Sequence, residues 1–439
     1  MSRKKEMSRR NFIKASAAGV VGTGVLAQAP IMSAIEEKKA KPVKIKAYRV
    51  LGRTGFKASD IGVGGVTPVG VLNALLDAGV NYIDSAEGYG RGQSEKNIGE
   101  AIQGRDRKKI FITTKLVFKK DKPETKEMII ERFQKCLKRL QTDYVDCLMI
   151  HSASTPDKLK NKAFHAAAKQ LKAEGKLRFI GVSNHGGHYG DVPASMEEVL
   201  LAAVEDGRFD LFLLVYNFLQ YEQADNVMKA CKKKNIGVTL MKTNPVGKYY
   251  GMQERIETMK KEGKKVPDSY NNYIARLKTQ VDKAEAFIKK YNLQNPKEIS
   301  AAAYRFVLGN PNVSTVNIAF RSFDSIDEIL QLSGSRLTQK DKKTLAVYER
   351  GCSQLYCRHA CGICEDSCQR GVPVNTIMRY SHYFDAQGRE KEAMTKYAAL
   401  SSKRADQCED CSGGCEAKCP YGVPIQGLLV QAHNLLTLS

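Results

Sequence analysis

The sequence predicts an α/β chain in which a (β/α)8 TIM barrel is followed by a small, helical, cysteine-rich domain. Two observations lead there. Residues 47–333 alternate short β-branched or apolar runs with longer stretches of 3.6-residue periodicity. Beyond residue 351 the composition shifts, and nine of the twelve cysteines crowd into residues 352–419. At 439 residues the chain is long enough for one large domain, expected over 47–345, and a smaller one over 351–439.

Strands are expected at Ile61–Gly64, Tyr82–Asp84, Ile110–Lys115, Tyr144–His151, Phe179–Ser183, Leu211–Tyr216, Gly237–Lys242 and Thr315–Ile318. Eight strands alternating with helices imply a parallel sheet, and eight is the number that closes this barrel. In Pro123–Leu140, Met128, Ile129, Phe133, Cys136, Leu137 and Leu140 share one helical face, which makes Cys136 a core residue. The Lys-rich stretch from Met252 to Leu293 is longer than a crossover needs and adds peripheral helices. Val374–Arg404 reads as two helices that carry the chain from a first group of cysteines to a second.

Ahead of the barrel, residues 1–34 read as a targeting segment and linker. A basic start (Arg3, Lys4, Lys5, Arg9, Arg10, Lys14) precedes an apolar run, Ala15–Ala29, that is too short and too rich in Ala and Gly to span a membrane. With the small residues "LAQA" this is the pattern of an export signal. The paired arginines of "SRRNFIK" resemble the bacterial twin-arginine signal. That resemblance implies the twin-arginine translocase as a partner and a location in the periplasm or on the outer face of the cytoplasmic membrane. Pro30 is a poor residue after "AQA", which leaves cleavage and retention at the membrane surface both open. The net charge of +23 is spread over the whole chain among 47 acidic residues. It is read as a solvated basic surface; no basic–aromatic patch resembles a base-stacking platform, and nucleic acid is not an expected partner.

The cysteines form two modules: Cys357, Cys361, Cys364 and Cys368, then Cys408, Cys411, Cys415 and Cys419. Close spacing puts several thiolates on one tight loop, which suits soft iron better than a hard cation. Cys368 is followed by "QRGVPV" and Cys419 by "PYGVPI", an internal repeat. Zinc and disulfides are the competing uses of such residues. Eight cysteines in two repeated modules fit two cubane clusters without remainder. The modules resemble two-cluster ferredoxins and the helical ferredoxin-like domains of redox enzymes. The resemblance implies two [4Fe–4S] clusters with crossed ligation: Cys357, Cys361, Cys364 and Cys419 on one, Cys408, Cys411, Cys415 and Cys368 on the other. The three-residue gap from Cys411 to Cys415 and Gln369 after Cys368 depart from the family pattern, and Cys352 is a spare able to replace Cys357.

Four residues stand at the ends of predicted barrel strands or in the loop after one: Asp84, Tyr89, Lys115 and His151. Carboxyl ends of strands are where barrel enzymes place catalysis. A carbonyl that accepts hydride must also receive a proton on oxygen, and a free tyrosine, with pKa ~10, is a sluggish donor near neutrality. A neighbouring Lys cation favours tyrosinate, an Asp holds that Lys in place, and a His orients the substrate oxygen. Each residue alone has an ordinary structural use; the four together, in this order, do not.

"YRVLGRTGFKASDIGVGG", "GVNYIDSAEGYGRGQSEKNIGEAI", "ITTKL", "CLMIHS" and "IGVSNH" resemble successive landmarks of the aldo-keto reductase superfamily. The resemblance implies a catalytic tetrad of Asp84, Tyr89, Lys115 and His151, with Tyr89 as general acid. It implies NAD(P) as cofactor, with Ser183 and Asn184 on the nicotinamide carboxamide and Tyr216 where the ring stacks. The second half fits less closely. Leu213 stands where many members carry Gln, "VNIAFRS" replaces the usual phosphate-wrapping stretch, and the later Asn falls on Ile329; Arg321 and Ser322 remain as phosphate candidates. "HGGHYGD" (185–191) is read as a polar, Gly-rich loop ahead of a metal site at His185 and His188. The expected function is therefore an exported oxidoreductase of a carbonyl or alcohol, with sugar-like compounds as one substrate class, coupled through two [4Fe–4S] clusters to a redox partner protein or carrier. The alternative is an electron-transfer or binding subunit in which the barrel is a scaffold.

Overall fold

The computed structural model describes residues 43–118, 122–185, 194–246, 268–293, 295–385, 387–408 and 411–437. The expected export segment, His188 and most of the "HGGHYGD" loop lie outside them.

Eight strands close into a barrel: β3 (Ile61–Gly64), β4 (Tyr82–Asp84), β5 (Phe111–Leu116), β6 (Val145–Ile150), β7 (Leu177–Asn184), β8 (Leu211–Val215), β9 (Gly237–Met241) and β10 (Thr315–Ile318). Every neighbouring pair is parallel, and β10 pairs with β3 to complete the ring. All eight fall where the hydrophobic runs predict them, within one or two residues at each end. Side chains alternate as the pleat requires. Leu211 and Leu213 of β8 join Tyr82, Phe111, Cys147 and Met149 inside the barrel. Phe212 and Leu214 face the helical shell.

A hairpin of β1 (Tyr48–Val50) and β2 (Lys57–Ser59) precedes the barrel and sends Leu51 into its interior cluster. Its turn starts at Gly52, whose φ of +51° places the α-carbon against β9; a Cβ there would meet the backbone nitrogen of Gly237 at 2.2 Å. Only glycine fits both demands.

The helical shell follows from amphipathic segments with definite starts. Helix α3 (Lys126–Leu140), after α1 (Val69–Asp77) and α2 (Gln93–Ala101), is capped by the Thr125 hydroxyl and buries Ile129, Phe133, Cys136 and Leu140. Met128, expected on that face, is 48% exposed because it lies in the first turn, ahead of the helix's contact with the barrel. The ring continues through α4 (Lys162–Ala173), α5 (Met196–Asp206), α6 (Glu222–Lys233) and α8 (Pro296–Leu308), with α7 (Asp268–Lys290) outside it and α9 (Asp324–Leu330) after β10.

Helix α10 (Gln339–Cys352) starts at a capping box of Thr338 and Asp341 and runs straight through Gly351 into the cysteine-rich region. There α11 (Val374–Asp385) and α12 (Glu390–Ala398) form an antiparallel pair, and the short α13 (Gly414–Lys418) leads to α14 (Ile425–Leu436). Their core, with Ile377, Tyr380, Tyr397 and Leu429, includes Leu277 and Val281 of α7. Every residue from Val374 to Ser381 is buried, so α11 is covered all round rather than along one stripe. Its cover is α12 and α14 together with the mouth of the barrel. Arg379, fully buried, lies within 3.5 Å of the Ser152 hydroxyl and the His185 carbonyl. Nearby, Asn217 donates to the Tyr356 hydroxyl (3.0 Å), and the His359 amide donates to the Gln220 side-chain oxygen (3.0 Å). Among the described residues no helix is long and apolar enough to cross a membrane.

Candidate active site

Three adjacent strands bring the predicted catalytic group together. Asp84 is the last residue of β4, Lys115 the penultimate residue of β5, and His151 follows β6. Tyr89 begins the turn after β4, in which Gly90, Arg91 and Gly92 all take positive φ and fold the loop back over the strand ends. The Lys115 ammonium donates to Asp84 Oδ2 at 2.6 Å, to the Ser85 carbonyl at 2.6 Å, and to the Tyr89 hydroxyl at 3.4 Å. It also lies 4.8 Å from the centre of the Tyr89 ring, and His151 meets that ring edge-on at 5.7 Å.

Lys115 and Asp84 are buried, and Tyr89 is half-buried. Burial alone would strip the proton from Lys115, but Asp84 and Tyr89 outweigh it and raise its pKa, so the ammonium is retained. His151 is driven the other way. Burial, then the cations Lys115, Lys396, Arg389 and Arg379, hold its pKa well below the usual imidazole value, and the ring is neutral. A neutral imidazole beside a phenol that an ammonium contacts is a set able to orient a carbonyl oxygen and deliver a proton to it.

Three of the cations acting on His151 come from the cysteine-rich region. A cavity of about 560 Å3 opens on Tyr89 and His151, and Arg389, Glu392, Thr395 and Lys396 line one side of it. Arg389 Nε and Lys396 Nζ each bind Glu392 at 2.7 Å. Opposite, Arg132 pairs with both Glu87 and Glu124. Sequence reasoning missed this wall, taking 374–404 only as a connection. The available signal was Arg389, Glu392 and Lys396 at i, i+3 and i+7, on one helical face, following the aromatic run "MRYSHYF".

The residues expected to hold a nicotinamide are only half gathered. Ser183 and Asn184 are fully buried beside the loop that carries His151; the Ser183 hydroxyl accepts from the Ser152 amide (2.9 Å), and Asn184 donates to the Ala153 carbonyl (2.6 Å). Tyr216 is not at the mouth. It has the parity of Phe212 and Leu214, so its ring enters the shell, stacks on Phe306 of α8 at 5.4 Å and accepts a hydrogen bond from Asn310 (3.0 Å). Its assignment as a ring-stacking residue is corrected on that ground. Arg321 and Ser322 are exposed on the rim after β10, Arg321 beside Gly388. With Tyr216 turned away, Ser183 and Asn184 are the residues of this set that remain at the strand ends to hold a nicotinamide.

The cysteine modules fold onto each other. Burial first, then Cys361, Cys364 and Cys419, raise the Cys357 thiol; burial, then Cys415, Cys411 and Cys368, push Cys408 up to about 12. The last cysteine of each module thus acts on thiols of the other, and Cys415 acts on Cys364 as well. The Val372 amide donates to Cys368 Sγ at 3.3 Å. Cys352 stays apart, its pKa raised to about 12 by burial alone. All twelve cysteines are free thiols. Among the described residues no three His, Cys, Asp or Glu side chains converge as a single metal ion requires.

Comparison with known proteins agrees with the barrel. The profile of the Aldo/keto reductase family matches residues 67–348, well over half of the chain. The aldo-keto reductase YhdN of Bacillus subtilis is 26% identical over 331 residues, covering 68% of this chain and 92% of that protein. L-galactose dehydrogenase of Arabidopsis thaliana is 25% identical over 324 residues, covering 69% and 92%. An aldo-keto reductase from Bacillus halodurans, solved in its holo form, shares the fold with a TM-score of 0.50 at 20% identity, covering 69% of this chain and 96% of that one. The chain belongs to the aldo/keto reductase family and is an oxidoreductase.

Proposed function

We propose that this protein interconverts a carbonyl and an alcohol, with Tyr89 giving or taking the proton on the substrate oxygen, and that it works outside the cytoplasm with two [4Fe–4S] clusters on its C-terminal cysteines. The observation that carries the catalytic part is the buried Lys115 ammonium held between Asp84 and Tyr89 at the carboxyl ends of β4 and β5. In the reductive direction Lys115 stabilises the tyrosinate left after proton transfer, Asp84 holds Lys115, and His151 donates to the carbonyl oxygen.

The approach of the two modules, with the last thiol of each acting on thiols of the other, supports the cluster reading. Cys357, Cys361, Cys364 and Cys419 would hold one cluster, and Cys408, Cys411, Cys415 and Cys368 the other. When bound, such clusters supply single-electron transfer to a partner protein or carrier. Export rests on "SRRNFIK" with its short apolar run. A route that moves folded proteins suits a chain whose clusters must be inserted before it leaves the cytoplasm. NAD(P) is the hydride source that family membership brings; the sugar-like substrate class is supported by the relative named L-galactose dehydrogenase.

The deciding experiment is anaerobic purification, with acid release of bound cofactor and iron analysis. About eight irons per chain, with turnover abolished in Tyr89→Phe while the clusters still reduce, supports the proposal. Turnover that survives Tyr89→Phe overturns the catalytic part; no carbonyl or alcohol turnover in the wild type, with clusters that still reduce, leaves the barrel as the scaffold of an electron-transfer subunit.

A further inference from the structure

We propose that Arg389 and Lys396 form an anion subsite in the catalytic cavity, so that the carbonyl substrate carries a carboxylate. This rests on the reading of Tyr89 as the acid of a carbonyl reaction and adds the chemical class of what it acts on. Both residues lie beyond residue 348, outside the part of the chain shared with the family.

The cavity is charged unevenly. Arg91, Lys122, Arg132, Arg389 and Lys396 line it against Glu87, Glu124 and Glu392. On the barrel side one guanidinium, Arg132, serves two carboxylates. On the α12 side two cations share the single carboxylate of Glu392. With Arg91 and Lys122 also on the barrel side, each side carries one cation more than its carboxylates, and the surplus on α12 is the one held beside the Tyr89 ring.

That wall is largely out of water. The side chains of Arg389 and Lys396 are 12% and 16% exposed. Arg389 turns one nitrogen to Gln387 (2.9 Å) and others to Glu392, and its guanidinium carbon is 4.9 Å from the centre of the Tyr89 ring. Lys396 has three N–H donors and spends one on Glu392. Burial, with Arg389 adding to it, lowers the Lys396 pKa to about 8 despite Glu392, the behaviour of an ammonium short of negative charge. Low-dielectric walls concentrate such a field, and a carboxylate entering from solvent meets both cations next to the proton donor. A substrate held by its acid group would place its carbonyl towards Tyr89.

The test is calorimetric titration of the full-length protein with oxamate, an unreactive carbonyl carboxylate, and with its neutral ethyl ester. Oxamate is expected to bind at least about tenfold more tightly than the ester, and Lys396→Met to lose about tenfold of that affinity. Glu392→Gln is expected to tighten oxamate binding, because it releases both cations; a misfolded variant cannot gain affinity. Equal affinity for oxamate and ester, or no tightening in Glu392→Gln, overturns the subsite. Binding is read without turnover, so a failure of the Tyr89 reading, seen as activity in Tyr89→Phe, is recorded separately.

Discussion

The guanidinium carbon of Arg389 stands 4.9 Å from the centre of the Tyr89 ring, and the Lys115 ammonium stands 4.8 Å from the same centre. One cation belongs to the barrel that the family shares. The other arrives on α12, from the cysteine-rich region. Tyr89 is thus a point of contact between the two parts of the chain, and the second part shapes the electrostatics around it whatever its cysteines hold.

Replacing Tyr89 by Phe removes only the hydroxyl that Lys115 contacts. Loss of a general acid costs about 10²–10⁴-fold in rate. Turnover is expected to fall by that amount, while the far-ultraviolet circular dichroism spectrum and the iron content stay at wild-type levels.

Lys115 and Asp84 form a buried ion pair, their side chains 0% and 4% exposed. Removing one partner of such a pair leaves an uncompensated charge and costs about 3–5 kcal/mol. Asp84→Asn is expected to lower stability by that amount in denaturant titration. Asp84→Asn combined with Lys115→Met is expected to recover most of it, since no charge is then left buried. Additive losses in the double variant would contradict the pairing.

His151 gives stability a pH dependence of definite sign. Its folded-state pKa lies well below the unfolded value because burial and four cations oppose its charge. Below about pH 6.5 the unfolded chain therefore binds a proton there that the folded chain does not, and stability falls as the pH drops. The slope from this one residue is at most about 1.4 kcal/mol per pH unit. Unfolding free energies measured from pH 7 to 5 are expected to fall more steeply for wild type than for His151→Gln, whose side chain does not titrate.

The barrel was legible because its signals are local. Each strand is a short apolar run; Asp84, Lys115 and His151 sit at or next to run ends, and Tyr89 lies in the loop after one. Tyr216 was placed at the mouth by family resemblance, whereas the period of two from Leu211 sends it into the shell. Arg389 and Lys396 were not legible as site residues. Their role arises where α12 packs across the barrel mouth, a contact between segments three hundred residues apart that no periodicity encodes. Arg379 shows the limit most sharply, since a lone arginine in an aromatic helix reads as a surface residue and is fully buried.

The grouping of the thiols makes the final prediction. Cys419 lies in the second module, yet it is among the charges acting on Cys357, Cys361 and Cys364 of the first; Cys415 also acts on Cys364, but is among the leading charges on neither Cys357 nor Cys361. Cys368, from the first module, acts on Cys408 and Cys415 of the second. Crossed ligation requires that Cys419→Ser damage the cluster of Cys357, not that of its sequence neighbour Cys415. Electron paramagnetic resonance of the reduced protein separates the two clusters by their signals. Cys419→Ser and Cys357→Ser are expected to lose the same signal, and Cys368→Ser and Cys408→Ser the other. Loss of one signal by Cys419→Ser and Cys408→Ser together would mean that each module holds its own cluster, and the crossing would be wrong. Cys352→Ser, at a thiol buried in α10 on which no other cysteine acts, is expected to leave both signals in place.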